Sequence, residues 1–502
     1  GLAGIGQGGM TALYAAALDG RVRAAVVADY FDRRDRCWQE PVDRRLPGQL
    51  LVCGDAELAA LVAPRPLGVV TRSIAPDLQD RTTRELNRAQ RYYDGLKASA
   101  ALATVSGVAP SDLADRSATR LAERLELPAS DGEIALPARC VGIAQAETWR
   151  NRHFEERLQH LRRLIAESEA RRQSRWGLAT REGSMTAPRD GMPHGADFQK
   201  VREAMLAEYR RLVGDVPTVD QPPQARTQLV LSTPKYRAYR VLLDVVEGVE
   251  VYGNLLVPEG IRGRAAAVVC QHGLSGTPEM ITGLGQKEDT PYHEFGRRLA
   301  ERGYVVFAPL ILHYHPVEWS NQQARMADAA GMMRVALAVA QTRRVVDFLQ
   351  GLALVDPQRI GYYGLSYGGY SALWIPPLEH RLAAVVVSGH FNDWRSKITA
   401  DNTPTSYLLH PDEDFYNWDV LHRFTHVELV ALDVPRPVCI EYGTRDGITT
   451  PEWTAYAWEQ LATVRDRLGL KDRIVLAQFD GVHEVRGEES FAFLDRFLRA
   501  AQ

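Results

Sequence analysis

The stretch Arg359-Ile-Gly-Tyr-Tyr-Gly364-Leu-Ser366-Tyr367-Gly368-Gly369-Tyr370 decides the fold. Its apolar run, residues 360–363, predicts a buried strand, and residues 369–374 predict a helix. The Gly-x-Ser-x-Gly motif between them predicts a tight turn with Ser366 at its tip, because the two flanking glycines carry no side chains that could clash. The amino end of the helix favours negative charge there. The stretch therefore predicts a nucleophilic serine at a sheet edge, and the alternative is an ordinary glycine-rich turn.

Composition and charge narrow the function classes. The chain has 502 residues, of which 45% are hydrophobic and 25% charged, as in globular proteins of about three domains. With 60 basic and 63 acidic residues, no net field attracts nucleic acid or an anionic membrane. No apolar run reaches the ~18 residues that a membrane span requires. The five cysteines lack metal-ligand spacing, so free thiols are expected.

Three segments near the N-terminus resemble three later segments in the same order. Residues 4–13 parallel 364–373, residues 21–31 parallel 381–391, and residues 57–66 parallel 428–437. This order predicts that residues 1–110 are a partial copy of the later unit. The chain opens inside a motif and without Met, so we expect a truncated N-terminus, which leaves the compartment open.

The first copy lacks the reactive side chains of the second. Gly6 stands where the second copy has Ser366, and Ala75 and Ala109 stand where it has Asp446 and His483. A glycine at the elbow provides no nucleophile, so the first copy is predicted to be non-catalytic. The alternative is a separate site built on Asp29, Tyr30 or Asp77.

Residues 111–227 are predicted to form a helical arm between the two copies. Two helices are expected there, each with one apolar stripe at helical spacing. The stripes are Trp149, Phe154, Leu158, Leu161 and Ile165 on the first, and Phe198, Val201, Met205, Tyr209 and Leu212 on the second. Residues 214–226, with three prolines, are interpreted as a linker.

Residues 228–502 alternate strands and helices, which predicts a mostly parallel, doubly wound α/β sheet. The predicted strands are 239–246, 249–257, 265–271, 304–308, 360–363, 383–388, 438–442 and 473–479, and the predicted helices are 292–302, 326–352, 369–374, 451–468 and 489–498. Active groups should meet at the carboxyl ends of the parallel strands. Side chains suited to catalysis follow three of these strand ends, in the chain order Ser366, Asp446 and His483.

These three residue types suit nucleophilic catalysis. The imidazole of His483 would take the proton of Ser366 and return it to the leaving group, a task that suits histidine side chains in general. The carboxylate of Asp446 would hold the ring tautomer and stabilise the imidazolium. Glu441 and Asp480 are the alternative acids, although the first lies within a predicted strand and the second in a predicted turn.

The negatively charged tetrahedral intermediate of such a reaction also needs hydrogen-bond donors. The backbone N–H groups of Tyr367 and Leu274 are predicted to form the oxyanion hole, from their positions after the serine and after the His272-Gly273 turn. His272 is expected to brace this loop. The pair His313 and His315 lacks further ligands, so no metal site is predicted.

Residues 236–502 resemble the α/β-hydrolase superfamily. The resemblance rests on the Gly-Leu-Ser-Tyr-Gly-Gly-Tyr elbow, the His-Gly-Leu loop, Pro-Arg-Pro, Gly-x-x-Asp and Gly-Val-His-Glu. It is shared with dienelactone-hydrolase-like, acetylxylan-esterase-like and prolyl-oligopeptidase-like branches. Dienelactone hydrolases have Cys where this chain has Ser366, and prolyl oligopeptidases carry a β-propeller that residues 1–235 do not resemble. The resemblance implies that residues 1–110 are a degenerate α/β-hydrolase-like unit.

The resemblance implies a serine carboxylic-ester hydrolase that acts through an acyl-enzyme, without metal or organic cofactor. Small acyl esters such as acetylated carbohydrates are the preferred substrates, and a serine peptidase of the prolyl-oligopeptidase type or an inactive scaffold are the alternatives. Residues 389–433, the lid segment, and a second insertion at 313–330 should cross the site. Their candidate substrate contacts are Trp319, Phe391, Trp394 and Tyr407, and Arg395 and Lys397 could meet an anionic group. Expected partners are a small-molecule ester and no nucleic acid, and a homo-oligomer is left open.

Overall fold

The structure is a computed structural model that describes residues 1–41, 44–72, 76–125, 146–176, 195–214, 219, 221–285, 290–311, 316–401 and 403–499. The chain divides into two compact units. The first contains residues 1–149 and 325–331, and the second contains residues 150–324 and 332–502.

The first unit contains a four-stranded parallel sheet with the strand order β1-β2-β3-β4. The strands are β1 (Leu2–Ile5), β2 (Ala25–Ala28), β3 (Leu67–Arg72) and β4 (Leu102–Val108). The helices are α1 (Gln7–Leu18), α2 (Gln49–Val52), α3 (Asp55–Val62), α4 (Pro76–Gly95) and α5 (Leu113–Leu125). Helices α1, α3 and α4 share one core with one face of the sheet, and α5 packs on the other face.

Helix α5 extends the first unit beyond the end that the sequence suggested. Leu113 is buried against Val26, Val70 and Val108 of the sheet, and Leu121 packs on the same cluster. A boundary at residue 110 would separate this helix from the strands that it covers. The apolar face of α5 therefore belongs to the core of the first unit and not to an arm.

The second unit is built on a nine-stranded sheet with the order β13-β12-β11-β10-β8-β9-β7-β6-β5. Its strands are β5 (Ala225–Ser232), β6 (Tyr236–Val246), β7 (Val249–Pro258), β8 (Ala265–Gln271), β9 (Val305–Pro309), β10 (Val355–Leu365), β11 (Leu382–Ser388), β12 (Val438–Gly443) and β13 (Ile474–Phe479). The six strands from β13 to β9 in this order are parallel, and β7, β6 and β5 continue the sheet antiparallel.

The remaining helices follow α5 in the chain, and several of them cover the two faces of this sheet. They are α6 (Ala146–Arg175), α7 (Gly195–Val213), α8 (Pro278–Thr282), α9 (Phe295–Glu301), α10 (Val317–Ala329), α11 (Val335–Gly351), α12 (Tyr367–Trp374), α13 (Trp394–Thr399), α14 (Val420–Arg423), α15 (His426–Asp433), α16 (Pro451–Arg467) and α17 (Glu488–Leu498). Helices α7, α11, α12, α15 and α16 contribute to the core on one face, and α8, α9 and α17 to the core on the other. This double layer brings the carboxyl ends of β8, β10, β11, β12 and β13 to one edge.

Two expectations about elements were wrong, and one apolar stripe is partly exposed. The helix expected at residues 326–352 is two helices, α10 and α11, because the chain turns at Gly331, which has a φ of +74°. Strand β5 was assigned in part to a linker, and all eight of its residues are exposed. The stripe expected on α6 is not fully buried, since Phe154 and Leu161 face solvent.

Candidate active site

Ser366 lies at the tip of the turn between β10 and α12. Its φ of 62° and ψ of −118° lie outside the regions that residues with side chains ordinarily occupy. The backbone N–H of Ser366 donates to Ser388 O at 2.9 Å. A Cβ on Gly364 would stand 2.1 Å from Gly368 O, so glycine is required for the turn to close. The sequence anticipated this geometry from the motif alone.

Close packing of α12 on the sheet fixes this turn. A Cβ on Gly368 would stand 2.4 Å from Gln271 O, at the end of β8. A Cβ on Gly369 would stand 2.4 Å from Ser388 O, at the end of β11. The first turn of α12 thus fits between two strand ends, and the helix N-terminus is directed to the same edge as Ser366.

His483 and Asp446 are brought together at the neighbouring strand ends. Asp446 follows β12 in a turn closed by its N–H donating to Gly443 O, and His483 follows β13. The ring Nδ1 of His483 lies 2.8 Å from Asp446 Oδ2. Oδ1 of the same buried carboxylate accepts from Ile448 N–H at 2.9 Å. Both carboxylate oxygens are therefore held in fixed positions.

The imidazole lies beside the elbow. A Cβ on Gly389 would stand 2.9 Å from His483 Cε1 and 3.0 Å from Leu365 Cδ1. Gly389 directly follows Ser388, whose carbonyl accepts the N–H of Ser366. The ring of His483 thus lies next to Gly389, the residue that follows the acceptor of the Ser366 N–H.

The loop after β8 packs directly on the serine. A Cβ on Gly273 would stand 2.9 Å from Ser366 Cβ, and Gly273 N–H donates to Tyr292 Oη at 2.8 Å. Among the described residues, no acceptor takes the N–H of Leu274 or of Tyr367. His272 is buried with its Nδ1 2.7 Å from Gly273 O, which agrees with a bracing part.

The two alternative acids have other partners. The buried carboxylate of Glu441 accepts from four donors: Tyr363 Oη at 2.6 Å, Ser388 Oγ and Ser490 Oγ at 2.7 Å, and Gly487 N–H at 2.9 Å. Asp480 is 83% exposed and forms an ion pair with Arg445. Glu441 therefore braces β10, β11 and α17, and Asp480 belongs to the surface.

The aromatic residues proposed as substrate contacts fall into two groups. Phe391 and Trp394 are buried, and the ring centroid of Trp394 lies 4.8 Å from that of His426. Tyr407 stacks on Phe415 at 4.5 Å. Trp319, by contrast, is 67% exposed on α10. Phe391 and Trp394 pack the lid segment onto the sheet, and of these four candidates Trp319 offers the most open ring.

Neither of the two cations proposed as contacts for an anionic group is placed as the sequence suggested. Arg395 forms ion pairs with Glu169 at 2.9 Å and with Asp393 at 3.4 Å. The ammonium of Lys397 is buried and donates to backbone carbonyls. Both charges are engaged by the protein, and the local sequence Trp394-Arg-Ser-Lys-Ile-Thr gave no signal of this.

The side chain of Tyr367 joins the elbow to the lid segment. Its hydroxyl donates a short hydrogen bond to Asp414 and lies 3.3 Å from Arg334 Nη1. Arg334 also donates to Ser320 Oγ at 2.7 Å, and Ser320 Oγ donates to Asp412 at 3.1 Å. Burial and the neighbouring Asp414 raise the pKa of Asp412 to about 6. Sequence reasoning missed this network because its members are distant in the chain.

The first unit has the same turn without a nucleophile. Gly6 has a φ of 57° and a ψ of −118°, and its N–H donates to Ala28 O at 2.9 Å. A Cβ at Gly6 would stand 3.1 Å from Arg44 Nη2. The likeness of this turn to that at Ser366 is a geometric observation, and the internal repeat itself stays a prediction.

A cavity of about 330 Å³ lies in the first unit and includes Asp29 and Tyr30 in its wall. Ion pairs compensate three arginines of that wall: Arg72 with Asp29, Arg34 with Asp55 and Glu40, and Arg81 with Asp32 and Asp35. These pairs make the wall a structural charge network. The side chain of Asp77 and the residues Ala75, His313 and His315 lie outside the described part of the chain.

Within the described ranges, no three His, Cys, Asp or Glu side chains are grouped so as to hold a metal ion. None of the helices found in those ranges combines the length and the apolar character that crossing a bilayer requires. Cys53, Cys270 and Cys439 are free thiols.

A protein-family model matches the part of the chain that contains the candidate site. The model of the prolyl oligopeptidase family matches residues 338–490, a range that contains Ser366, Asp446 and His483. The second unit is a serine hydrolase of the α/β-hydrolase fold. YtaP of Bacillus subtilis (strain 168), whose name assigns it to the hydrolases, is 24% identical over 310 residues, which cover 59% of this chain and all of YtaP.

Two further proteins are similar to part of this chain. The uncharacterized peptidase YuxL of Bacillus subtilis (strain 168) is 27% identical over 244 residues, covering 46% of this chain and 33% of YuxL. Among solved structures, a glucuronoyl esterase from Solibacter usitatus is similar with a TM-score of 0.48 and 15% identity, covering 63% of this chain and 97% of that one.

Proposed function

We propose that the second unit hydrolyses carboxylic esters through an acyl-enzyme, with Ser366 as the nucleophile. The observation that carries this proposal is the contact of His483 Nδ1 with the buried Asp446 carboxylate, beside a serine held at positive φ. In that arrangement Nδ1–H donates to Asp446, which leaves Nε2 as the base. Ester hydrolysis needs no further reactive group.

Each step has a residue suited to it. The hydroxyl of Ser366 attacks the ester carbonyl while His483 Nε2 takes its proton, and the imidazolium then protonates the departing alkoxide. Water attacks the acyl-enzyme with the same base, and the serine is restored. The N–H groups of Tyr367 and Leu274, which lack acceptors among the described residues, are suited to bind the oxyanion in both steps.

An acetylated carbohydrate is the proposed substrate class. Support comes from the exposed ring of Trp319, since aromatic faces suit the apolar faces of sugar rings. The neighbouring Ser320 joins the network that reaches Tyr367 through Asp412, Asp414 and Arg334. This network connects the Trp319 segment to the elbow, where the bound alcohol would lie.

Peptide hydrolysis is the second candidate, and the match of residues 338–490 to the prolyl oligopeptidase family favours it. The same three residues would cleave an amide after proline. The two candidates differ in the leaving group, so a direct comparison of substrates separates them.

The test is hydrolysis of p-nitrophenyl acetate by the wild type, Ser366→Ala and the surface control Ser111→Ala, each also treated with a fluorophosphonate and weighed intact. Wild type and control should turn over and gain one adduct, while Ser366→Ala should lose at least about 10⁴-fold in rate and gain none. A wild type that neither reacts nor labels would support the scaffold alternative. Acetylated xylo-oligosaccharides and a Gly-Pro anilide then decide between ester and peptide.

A further inference from the structure

A buried cation lies behind the acid of the candidate site. Lys397, on α13 of the lid segment, has no exposed surface. Its Nζ donates to Thr405 O at 2.7 Å and makes a short hydrogen bond to Ile448 O. It also lies 3.7 Å from the centre of the Tyr407 ring. Burying an ammonium is unfavourable unless it is paired, so this arrangement calls for a functional reason.

Ile448 connects this ammonium to the acid. The carbonyl of Ile448 accepts from Lys397, and the N–H of the same residue donates to Asp446 Oδ1 at 2.9 Å. The other oxygen of Asp446 lies 2.8 Å from His483 Nδ1. A chain of hydrogen bonds thus runs from the lid segment to the imidazole, with Ile448 as its middle member.

Few other charges act on the ammonium. Asp446 attracts it, and the ring of Tyr407 faces it. Burial lowers the pKa values of His390, His410 and His426, and the charge of Lys397 lowers them further, so these imidazoles are neutral near pH 7. Burial also lowers the pKa of Lys397 itself to about 7, against the attraction of Asp446.

We propose that Lys397 is a positioning residue, which holds Ile448 so that Asp446 faces His483. The inference rests on the proposed function of Ser366, Asp446 and His483. It assigns the lid segment a part in orienting the acid, in addition to covering the site.

The experiment measures kcat and KM for p-nitrophenyl acetate in the wild type and in Lys397→Met, Lys397→Gln and Lys397→Arg. Loss of the anchor in Met and Gln should lower kcat about 10- to 100-fold. KM should stay unchanged, because Lys397 acts on the acid and does not touch the substrate. Lys397→Arg keeps a charged donor and should recover part of the lost kcat. Lys471→Met, which removes an exposed lysine, is the control.

The outcomes separate this inference from the proposed function. A wild type that neither turns over nor labels with a fluorophosphonate would refute the function of the site. An active wild type with unchanged kcat in Lys397→Met and Lys397→Gln would refute the inference alone. A loss that falls on KM instead of kcat, or that Lys397→Arg does not reduce, would also refute it. Should Lys397→Met not fold, Lys397→Gln and Lys397→Arg carry the comparison, because the shorter side chain of Gln loses the anchor, whereas Arg keeps a charged donor.

Discussion

The imidazole of His483 lies directly against the backbone of Gly389. A Cβ at position 389 would stand 2.9 Å from His483 Cε1 and 3.0 Å from its Nδ1. Gly389 also has a φ of +58°, which residues with a Cβ rarely adopt. A residue other than glycine here would push on the imidazole ring of His483.

Gly389→Ala should therefore reduce activity by displacing His483. We expect kcat/KM to fall about 100-fold, because a misplacement of about 1 Å at a catalytic group has effects of that size. Gly447→Ala is the matched control, since a Cβ there meets nothing within 4 Å. Steady-state kinetics with p-nitrophenyl acetate checks the pair. Equal activity in the two variants would contradict the position of His483 as the base.

The acid can be tested in the same way. Asp446→Asn should lower kcat about 10³- to 10⁴-fold, because an amide at this position no longer fixes the tautomer of His483 or stabilises the imidazolium. Asp480→Asn should keep wild-type activity, since Asp480 is exposed and pairs only with Arg445 among the described residues. Single-turnover acylation rates measure both. A large loss of acylation rate in Asp480→Asn would instead assign Asp480 as the acid.

Glu441→Gln should affect stability rather than chemistry. Glu441 accepts hydrogen bonds from the hydroxyls of Tyr363, Ser388 and Ser490 and from the N–H of Gly487. The NH2 group of a glutamine would face some of these hydrogen-bond donors and leave them without an acceptor. We expect the free energy of unfolding to fall by about 2–4 kcal/mol in urea denaturation. Glu488→Gln is the exposed control. Full stability with lost activity would instead make Glu441 part of the catalytic chemistry.

Lys397 should give the free energy of unfolding a pH dependence. Its pKa is about 7 in the folded state and near 10.5 when unfolded, so between these values the unfolded chain binds more protons. This group therefore makes the folded state more stable as pH rises from 7 to 9. Lys397→Met should remove about 2 kcal/mol of that rise in urea denaturation, while Lys471→Met should not. An identical rise in Lys397→Met would place the ammonium in contact with solvent.

Placing a serine hydroxyl at position 6 of the first unit should not create a reactive nucleophile. Gly6 has nearly the φ and ψ of Ser366, but residues 1–152 contain no histidine to serve as a base. The double variant Gly6→Ser and Ser366→Ala should therefore gain no fluorophosphonate adduct by intact mass. An adduct at residue 6 would show that the first unit has an activating group of its own.

The sequence predicted the parallel strands well, because β8, β11 and β12 are mostly apolar runs with both faces covered. It missed β5, whose residues are all exposed and show no alternation. The sequence-based prediction joined α10 to α11, because one glycine in an otherwise helical pattern is not enough to indicate a turn. Burial on at least one face is thus what made a strand recognisable.

The order of Ser366, Asp446 and His483 was predictable because the fold fixes which strand ends meet. The structure brings Asp446 to His483, although the assignment of their roles stays a prediction. The burial of Lys397 was not predictable, since its acceptors, Thr405 O and Ile448 O, lie eight and 51 residues away. Contacts made through backbone carbonyls leave no trace in side-chain patterns.

Tyr367 has two attachments with separate consequences. Its backbone begins α12 beside Ser366, and its phenol hydrogen-bonds Asp414 of the lid segment. A lid transplanted from another hydrolase would remove Asp414 and leave a buried phenol without its acceptor, at the residue whose N–H we propose as an oxyanion donor. Substrate range in this chain therefore cannot be re-engineered by loop exchange alone: a donor lid must bring its own acceptor for Tyr367, or the exchange must include the first turn of α12.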